Sequence, residues 1–186
     1  HAPLAYYGLT LVDLATGSER PLSVPSGAVL GYPFWSADGQ RFAFTATVDA
    51  GIELWVGNPA DGSVRRLVGP ELNGALSAPC TFMPDSRRVL CRLIDGEKRR
   101  FPAAPSAHDL FRLTGPATMQ SLSQQALDPW MVRQLIESQL TLIDTETGLR
   151  QKVGAPAAVE AAEPAPSGAF PPVSRIVPPY PPVPGV

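Results

Sequence analysis

Cys80 and Cys91, His1 and His108, and the turn aspartates Asp38 and Asp85 are the residues whose types could do chemistry in this chain. Two cysteines with no histidine at ligand spacing do not make a zinc site. Neither histidine stands near a nucleophile in a recognisable pattern. The chain has no Gly-x-Ser-x-Gly elbow, no P-loop, no Gly-x-Gly-x-x-Gly and no His-Glu-x-x-His. No nucleophile, base and oxyanion hole can be assembled from these parts. The sequence therefore assigns no catalytic, cofactor-binding or metal-binding residue and implies no cofactor.

The aspartates have a structural task. In Ser36-Ala37-Asp38-Gly39 and Met83-Pro84-Asp85-Ser86 a short carboxylate can accept hydrogen bonds from the backbone just ahead and tighten the turn. Their recurrence at equivalent places argues for turn formation over catalysis. Trp35 and Phe82 stand in matching slots beside these turns and are expected to fill the core between neighbouring units. A turn centred between Asp85 and Ser86 sets Cys80 opposite Cys91 on adjacent strands. A cross-strand disulfide and two reduced, half-buried thiols are both open, and the thiols are favoured because directly paired strands rarely give relaxed disulfide geometry.

The elements that position these residues follow from two recurring phrases. An apolar strand, a turn ending in Gly and a returning strand occur at Leu9–Gly17, Leu54–Gly62 and Leu140–Gly148. Between them, Phe34-Trp-Ser-Ala-Asp-Gly39-Gln-Arg-Phe-Ala-Phe44 is echoed by Thr81-Phe-Met-Pro-Asp-Ser86-Arg-Arg-Val-Leu-Cys91. A four-stranded antiparallel unit repeating every 40–50 residues or so is the signature of a β-propeller blade. The expected fold is all-β: an incomplete propeller of about two four-stranded blades, a short helical insertion and a Pro-rich C-terminal tail. Residues 1–28 supply the closing hairpin of a preceding blade and residues 29–70 a complete blade. Residues 71–154 form a second blade interrupted by an insertion at 95–137, with helix expected over 121–138. In the strand after Gly39, Phe42 and Phe44 share one face and Ala43 the other, as in a strand packed on one side.

Residues 155–186 hold 10 of the 22 prolines and read as a tail containing the start of a degraded third blade. Pro171-Pro172 would break its second strand. A net charge of −2 offers no footprint for nucleic acid. No apolar run approaches the ~18 residues of a membrane span. Arg65-Arg66, Arg87-Arg88 and Lys98-Arg99-Arg100 are expected on solvated edges. The start at His1, with no initiator Met or leader, reads as an internal piece of a longer protein.

Taken in order, Tyr7–Pro21, Trp35–Thr45, Gly51–Val56, Leu76–Arg92 and Glu137–Asp144 resemble the N-terminal propeller of prolyl-oligopeptidase-type serine peptidases, in the glutamyl-endopeptidase-like branch. The Trp-Ser-Ala-Asp-Gly phrase also resembles TolB-like propellers. The peptidase resemblance covers residues 3–154 and implies a propeller capping a C-terminal α/β-hydrolase domain, restricting access to short or flexible peptides. That family's catalytic residues lie in the hydrolase domain, and no position here matches them. The implied partners are that domain and peptide substrates, and the implied location for a bacterial protein is periplasmic or secreted. A TolB-like interaction propeller and a gene remnant without independent function are the alternatives.

Overall fold

The computed structural model describes residues 5–94, 135–169 and 172–177. Its named elements are all β-strands. β1 (Thr10–Val12) and β2 (Glu19–Pro21) form a hairpin that stands as its own two-stranded sheet. The second sheet comprises β3 (Val29–Leu30), β4 (Phe34–Trp35), β5 (Phe42–Val48), β6 (Gly51–Gly57) and β7 (Val64–Val68). β3 and β4 both pair antiparallel with β5, so they are one strand broken around Pro33, whose ring nitrogen cannot donate to a ladder. The sheet is thus a four-stranded meander, as the turn phrases predict.

The third sheet holds β8 (Cys80–Phe82), β9 (Arg88–Leu93), β10 (Glu137–Asp144) and β11 (Arg150–Lys152) in the same up-and-down order. Glu137 and Ser138 belong to β10 rather than to the end of a helix, because they pair with Ala158 and Ala157 of the next strand. Leu135 and Ile136 are helical in backbone, and residues 95–134 of the expected insertion lie outside the described residues.

β12 (Ala157–Ala162) and β13 (Val173–Arg175) pair antiparallel with a register shift between Val159 and Ala161. The stretch read as a tail thus contains a strand pair. β13 begins right after Pro172, whose carbonyl accepts the Glu163 amide at 3.3 Å, so this proline extends the pairing and does not break it; Pro171 lies outside the described residues.

Three apolar layers lie between successive sheets. Phe42, Phe44 and Ala46 of β5 pack against Leu22, Ala28 and Leu30, with Leu9 and Leu11 of the hairpin region alongside. The opposite face of that sheet sets Ala43, Leu54 and Val68 against Leu72, Phe82, Val89, Cys91 and Ile143. Beyond it, Leu90 and Leu140 meet Val159, with Val173 at the margin. The alternation expected in β5 is present, but both of its faces are buried, because the sheet has a neighbour on each side. Packing is close enough that a Cβ on Gly57 would lie 2.2 Å from the Phe42 ring, so the cross-strand partner of that phenylalanine must be glycine.

A backbone link recurs at each step of the stack. Leu30 donates to the Tyr6 carbonyl (2.7 Å), Leu72 donates to the Ile52 carbonyl (3.1 Å), and β12 pairs with the start of β10. Each link joins the entry of one unit's third strand to the first strand of the next unit.

Trp35 does not fill the core. It is 50% exposed, resting on Phe42 with ring centroids 5.4 Å apart, whereas Phe82 is 9% exposed. Phe34, one residue earlier, makes the inter-sheet contact, edge-on to Phe82 at 5.5 Å. The chain breaks at Pro33 and re-pairs at Phe34–Ala43, which sends Phe34 to the inter-sheet face and Trp35 to the other.

Candidate functional site

The turn aspartates do what their spacing demands. Asp13 accepts from the Ala15 and Thr16 amides, Asp85 from Arg87 and Arg88, and Asp144 from Glu146 and Thr147, all within 2.8–3.0 Å. Asp38 accepts from the Ser36 hydroxyl (2.7 Å) and the Gln40 amide (2.9 Å). These bonds hold the Asp38 carboxyl below its ordinary range, the Ser36 hydroxyl contributing most. Asp144 lies far below it: the Thr147 amide lowers it most, partial burial opposes, and the Arg87 guanidinium adds to the lowering. A carboxylate held this firmly ionised is a poor general acid or base near neutral pH.

Two clefts between units gather the polar side chains. The first, of about 250 Å³, is lined by Arg41, Asn58, Arg65, Thr145 and Glu146 among others. Arg41 of β5's leading turn reaches Glu146 at 2.5 Å and the Ser86 carbonyl at 3.3 Å. Arg65 of β7 donates to the carbonyls of Thr145 and Glu146. From the second unit itself, Arg87 donates to Asp144 at 2.6 Å and approaches Glu146 at 3.6 Å. The Ser86 hydroxyl accepts the Asp38 amide at 3.0 Å, tying one turn phrase to its echo. Arg41 and Arg65 join the two sheets, and Arg87 braces the receiving turn from its own sheet.

The second cleft, of about 340 Å³, lies where β8 and β9 meet β12. Its floor is Arg92, 4% exposed, which donates to the carbonyls of Val159 (2.7 Å), Glu160 (3.0 Å), Ala78 (2.9 Å) and Ser77. Burial lowers the guanidinium's pKa, while four carbonyls replace its hydration. Cys80, also lining this cleft, is disulfide-bonded to Cys91. The predicted facing pair is thus present, but the reduced state favoured from sequence is not. Arg92 donates its amide to the Pro79 carbonyl, so Cys80–Cys91 is the neighbouring, non-hydrogen-bonded pair. Pairs of that kind bring side chains closest, here with Cα atoms 4.2 Å apart.

Four parallel observations now stand together: two four-stranded meanders, apolar layers between successive sheets, a recurring inter-sheet link and two turn types that repeat from unit to unit. The sheets are a section of a β-propeller. They are not closed into a ring. No family model matches the chain. It is 25% identical to a probable chloroplastic glutamyl endopeptidase of Oryza sativa subsp. japonica, over 184 residues that cover 90% of this chain and 20% of that protein. Among solved structures, an acylaminoacyl peptidase of Pyrococcus horikoshii superposes with a TM-score of 0.50 at 15% identity, covering 84% of this chain and 21% of that one. TolB of Acinetobacter baumannii gives 0.49 at 15% identity, covering 89% and 31%. The chain thus spans about a fifth of the length of the two peptidases it resembles.

Both histidines lie outside the described residues. Among the described residues no group of His, Cys, Asp and Glu could hold a metal ion, and no helix is long and apolar enough to cross a membrane. Sequence reasoning missed the joining role of Arg41, Arg65 and Arg92. Arg65 and Arg87 are exposed, as expected of solvated edges, and each also contacts a residue at least 57 positions away, a separation that leaves no local signal.

Proposed function

We propose that these residues serve as a non-catalytic section of the propeller of a glutamyl-endopeptidase-like serine peptidase. There they gate the access of peptide substrates to an α/β-hydrolase domain encoded outside them. The observation that carries the reading is the match to the rice protein along 90% of the chain. The geometry supports the same role. Both inter-sheet clefts are closed by guanidinium contacts, so the section presents walls and turns rather than a nucleophile with its base. A rigid wall excludes folded substrates by size, which is what a gate requires. The Cys80–Cys91 bond supports an oxidising location, periplasmic or secreted.

The test is to label the natural gene product that contains this sequence with a serine-directed fluorophosphonate. The expected result is one labelled serine in a Gly-x-Ser-x-Gly context outside residues 1–186. A product with further blades and no labelled serine refutes the peptidase reading and leaves an interaction propeller in its place.

A further inference from the structure

The first strand of the second whole sheet is interrupted where it faces β12. Leu72 pairs with Leu93 and Cys80 with Cys91, so the seven residues 73–79 stand opposite Arg92 alone. Across the cleft β12 carries a bulge of its own. Glu160 is the extra residue between the Val159–Arg175 and Ala161–Ser174 pairs. The two interruptions face each other over the cleft of about 340 Å³. Bulges that re-aim the backbone and end pairing concentrate beside functional sites. One side chain holds both in place, since the Arg92 guanidinium closes the floor by donating to Ser77 and Ala78 on one wall and to Val159 and Glu160 on the other. The Ser77 hydroxyl adds a direct tie to the Glu160 carbonyl at 2.5 Å, and the Cys80–Cys91 bond fixes the strand behind. The walls are therefore set before anything enters, which lowers the cost of binding.

We propose that this cleft binds an extended peptide segment bearing basic side chains. Main-chain groups supply one half of the recognition. Arg92 donates its amide to the Pro79 carbonyl, so the amide and carbonyl of the next residue, Cys80, turn away from β9. Glu163 donates to the Pro172 carbonyl, so the amide and carbonyl of Ala162 turn away from β13. Cys80 and Ala162 both line the cleft. Outward main-chain groups of this kind pair with an added strand. The free edge of β8 belongs to the architecture, because blades stand radially around a channel and the first strand of the other whole sheet, β3–β4, is open on the same edge.

Charge supplies the other half. Glu160 and Glu163 line the cleft, and neither forms an ion pair among the described residues. The guanidinium beneath them is buried against its carbonyl partners, so the charge left facing solvent is acidic and complements lysine or arginine. Leu90 and Leu140 give the lining an apolar part along which the methylene stem of such a side chain can lie. The role of the site rests on the gating reading, which it deepens by naming the peptide chemistry that this section holds.

The test begins with the natural gene product that contains this sequence, treated with fluorophosphonate so that any active serine is blocked. Fluorescence anisotropy then follows a fluorescein-labelled Ala-Lys-Ala-Lys-Ala peptide blocked at both ends. It is expected to bind, and Glu160→Gln/Glu163→Gln is expected to weaken binding about three- to tenfold, as for two partly exposed ion pairs. The same peptide methylated on its backbone amides keeps the charges, loses the donors and is expected not to bind. Glutamate in place of lysine in the peptide is expected to abolish binding. A lysine peptide that does not bind overturns the proposal. So does equal binding by the methylated peptide, by the glutamate peptide or by the glutamine variant. The peptide comparisons leave the protein unaltered and decide the matter even if the variant fails to fold. A bound peptide without a labelled serine keeps the site and refutes the peptidase reading, and a labelled serine without a bound peptide does the reverse.

Discussion

Phe82→Ala is expected to destabilise the chain by about 3–4 kcal/mol and Trp35→Ala by about 1–2 kcal/mol. Removing a fully buried large aromatic costs roughly 3–5 kcal/mol, the sum of lost transfer energy and an unfilled cavity. Phe82 is nine-tenths buried between two sheets that cannot collapse independently, so it keeps most of that cost. Trp35 is half exposed, so about half its transfer term is absent, and water fills the space it leaves. The assay is urea unfolding followed by far-ultraviolet circular dichroism at one fixed protein concentration, because association would shift the midpoint by mass action. With thermal melts, each kcal/mol corresponds to about 2–4 °C for a chain of this size. A cycle with Phe34→Ala isolates the edge-on ring pair, expected at about 0.5–1.5 kcal/mol of coupling. A Trp35→Ala variant that loses as much stability as Phe82→Ala would refute the argument. It would show that the half-exposed indole is buried in solution.

Two further outcomes follow from the same geometry. Cys80→Ser/Cys91→Ser, or reduction of the native bond, should cost about 2–3 kcal/mol, the loop-closure value for a sequence separation of 11, measured as a loss of urea midpoint that reductant abolishes as a difference. Asp144 has a folded-state pKa far below its unfolded value, so its contribution is fully present above about pH 4 and is lost as pH falls toward the folded pKa. Asp144→Asn should therefore lower the melting temperature near neutral pH and flatten its decline below about pH 4, read from melts across that range.

Local chemistry was legible in the sequence and inter-sheet chemistry was not. Turn type, strand pairing and the facing of Cys80 and Cys91 follow from the Asp-Gly and Asp-Ser turns, because a tight turn fixes register within a few residues. The state of the cysteine pair needed one more fact, namely which of two alternating pair geometries it occupies, and that depends on the amide of Arg92. The misassigned anchor has a similar cause. Trp35 and Phe82 match in sequence, but the break at Pro33 leaves Phe34 facing the next sheet. The β12–β13 pair is obscured by Pro171-Pro172, because a proline that only accepts at the end of a ladder cannot be told in sequence from one that breaks it, and Pro172 accepts the Glu163 amide. Arg41, Arg65 and Arg92 show the limit most plainly, since their partners are supplied by another unit.

The two joints between units are built differently. Between the first two whole sheets a continuous apolar layer is rimmed by Arg41, Arg65 and Arg87, which hold the Asp144–Glu146 turn from two sides. Rim ion pairs that are partly exposed add little stability by themselves, so this joint is held chiefly by its core. Between β8–β9 and β12 the apolar layer is smaller, and one buried guanidinium reaches two carbonyls across the gap, Val159 and Glu160, and two on its own side, Ser77 and Ala78. Removing that single side chain would leave the Val159, Ser77 and Ala78 carbonyls without its donors in a cleft of about 340 Å³, while the Glu160 carbonyl keeps the Ser77 hydroxyl. The joint at Arg92 therefore depends on one side chain, whereas the joint around Phe82 depends on a shared apolar layer.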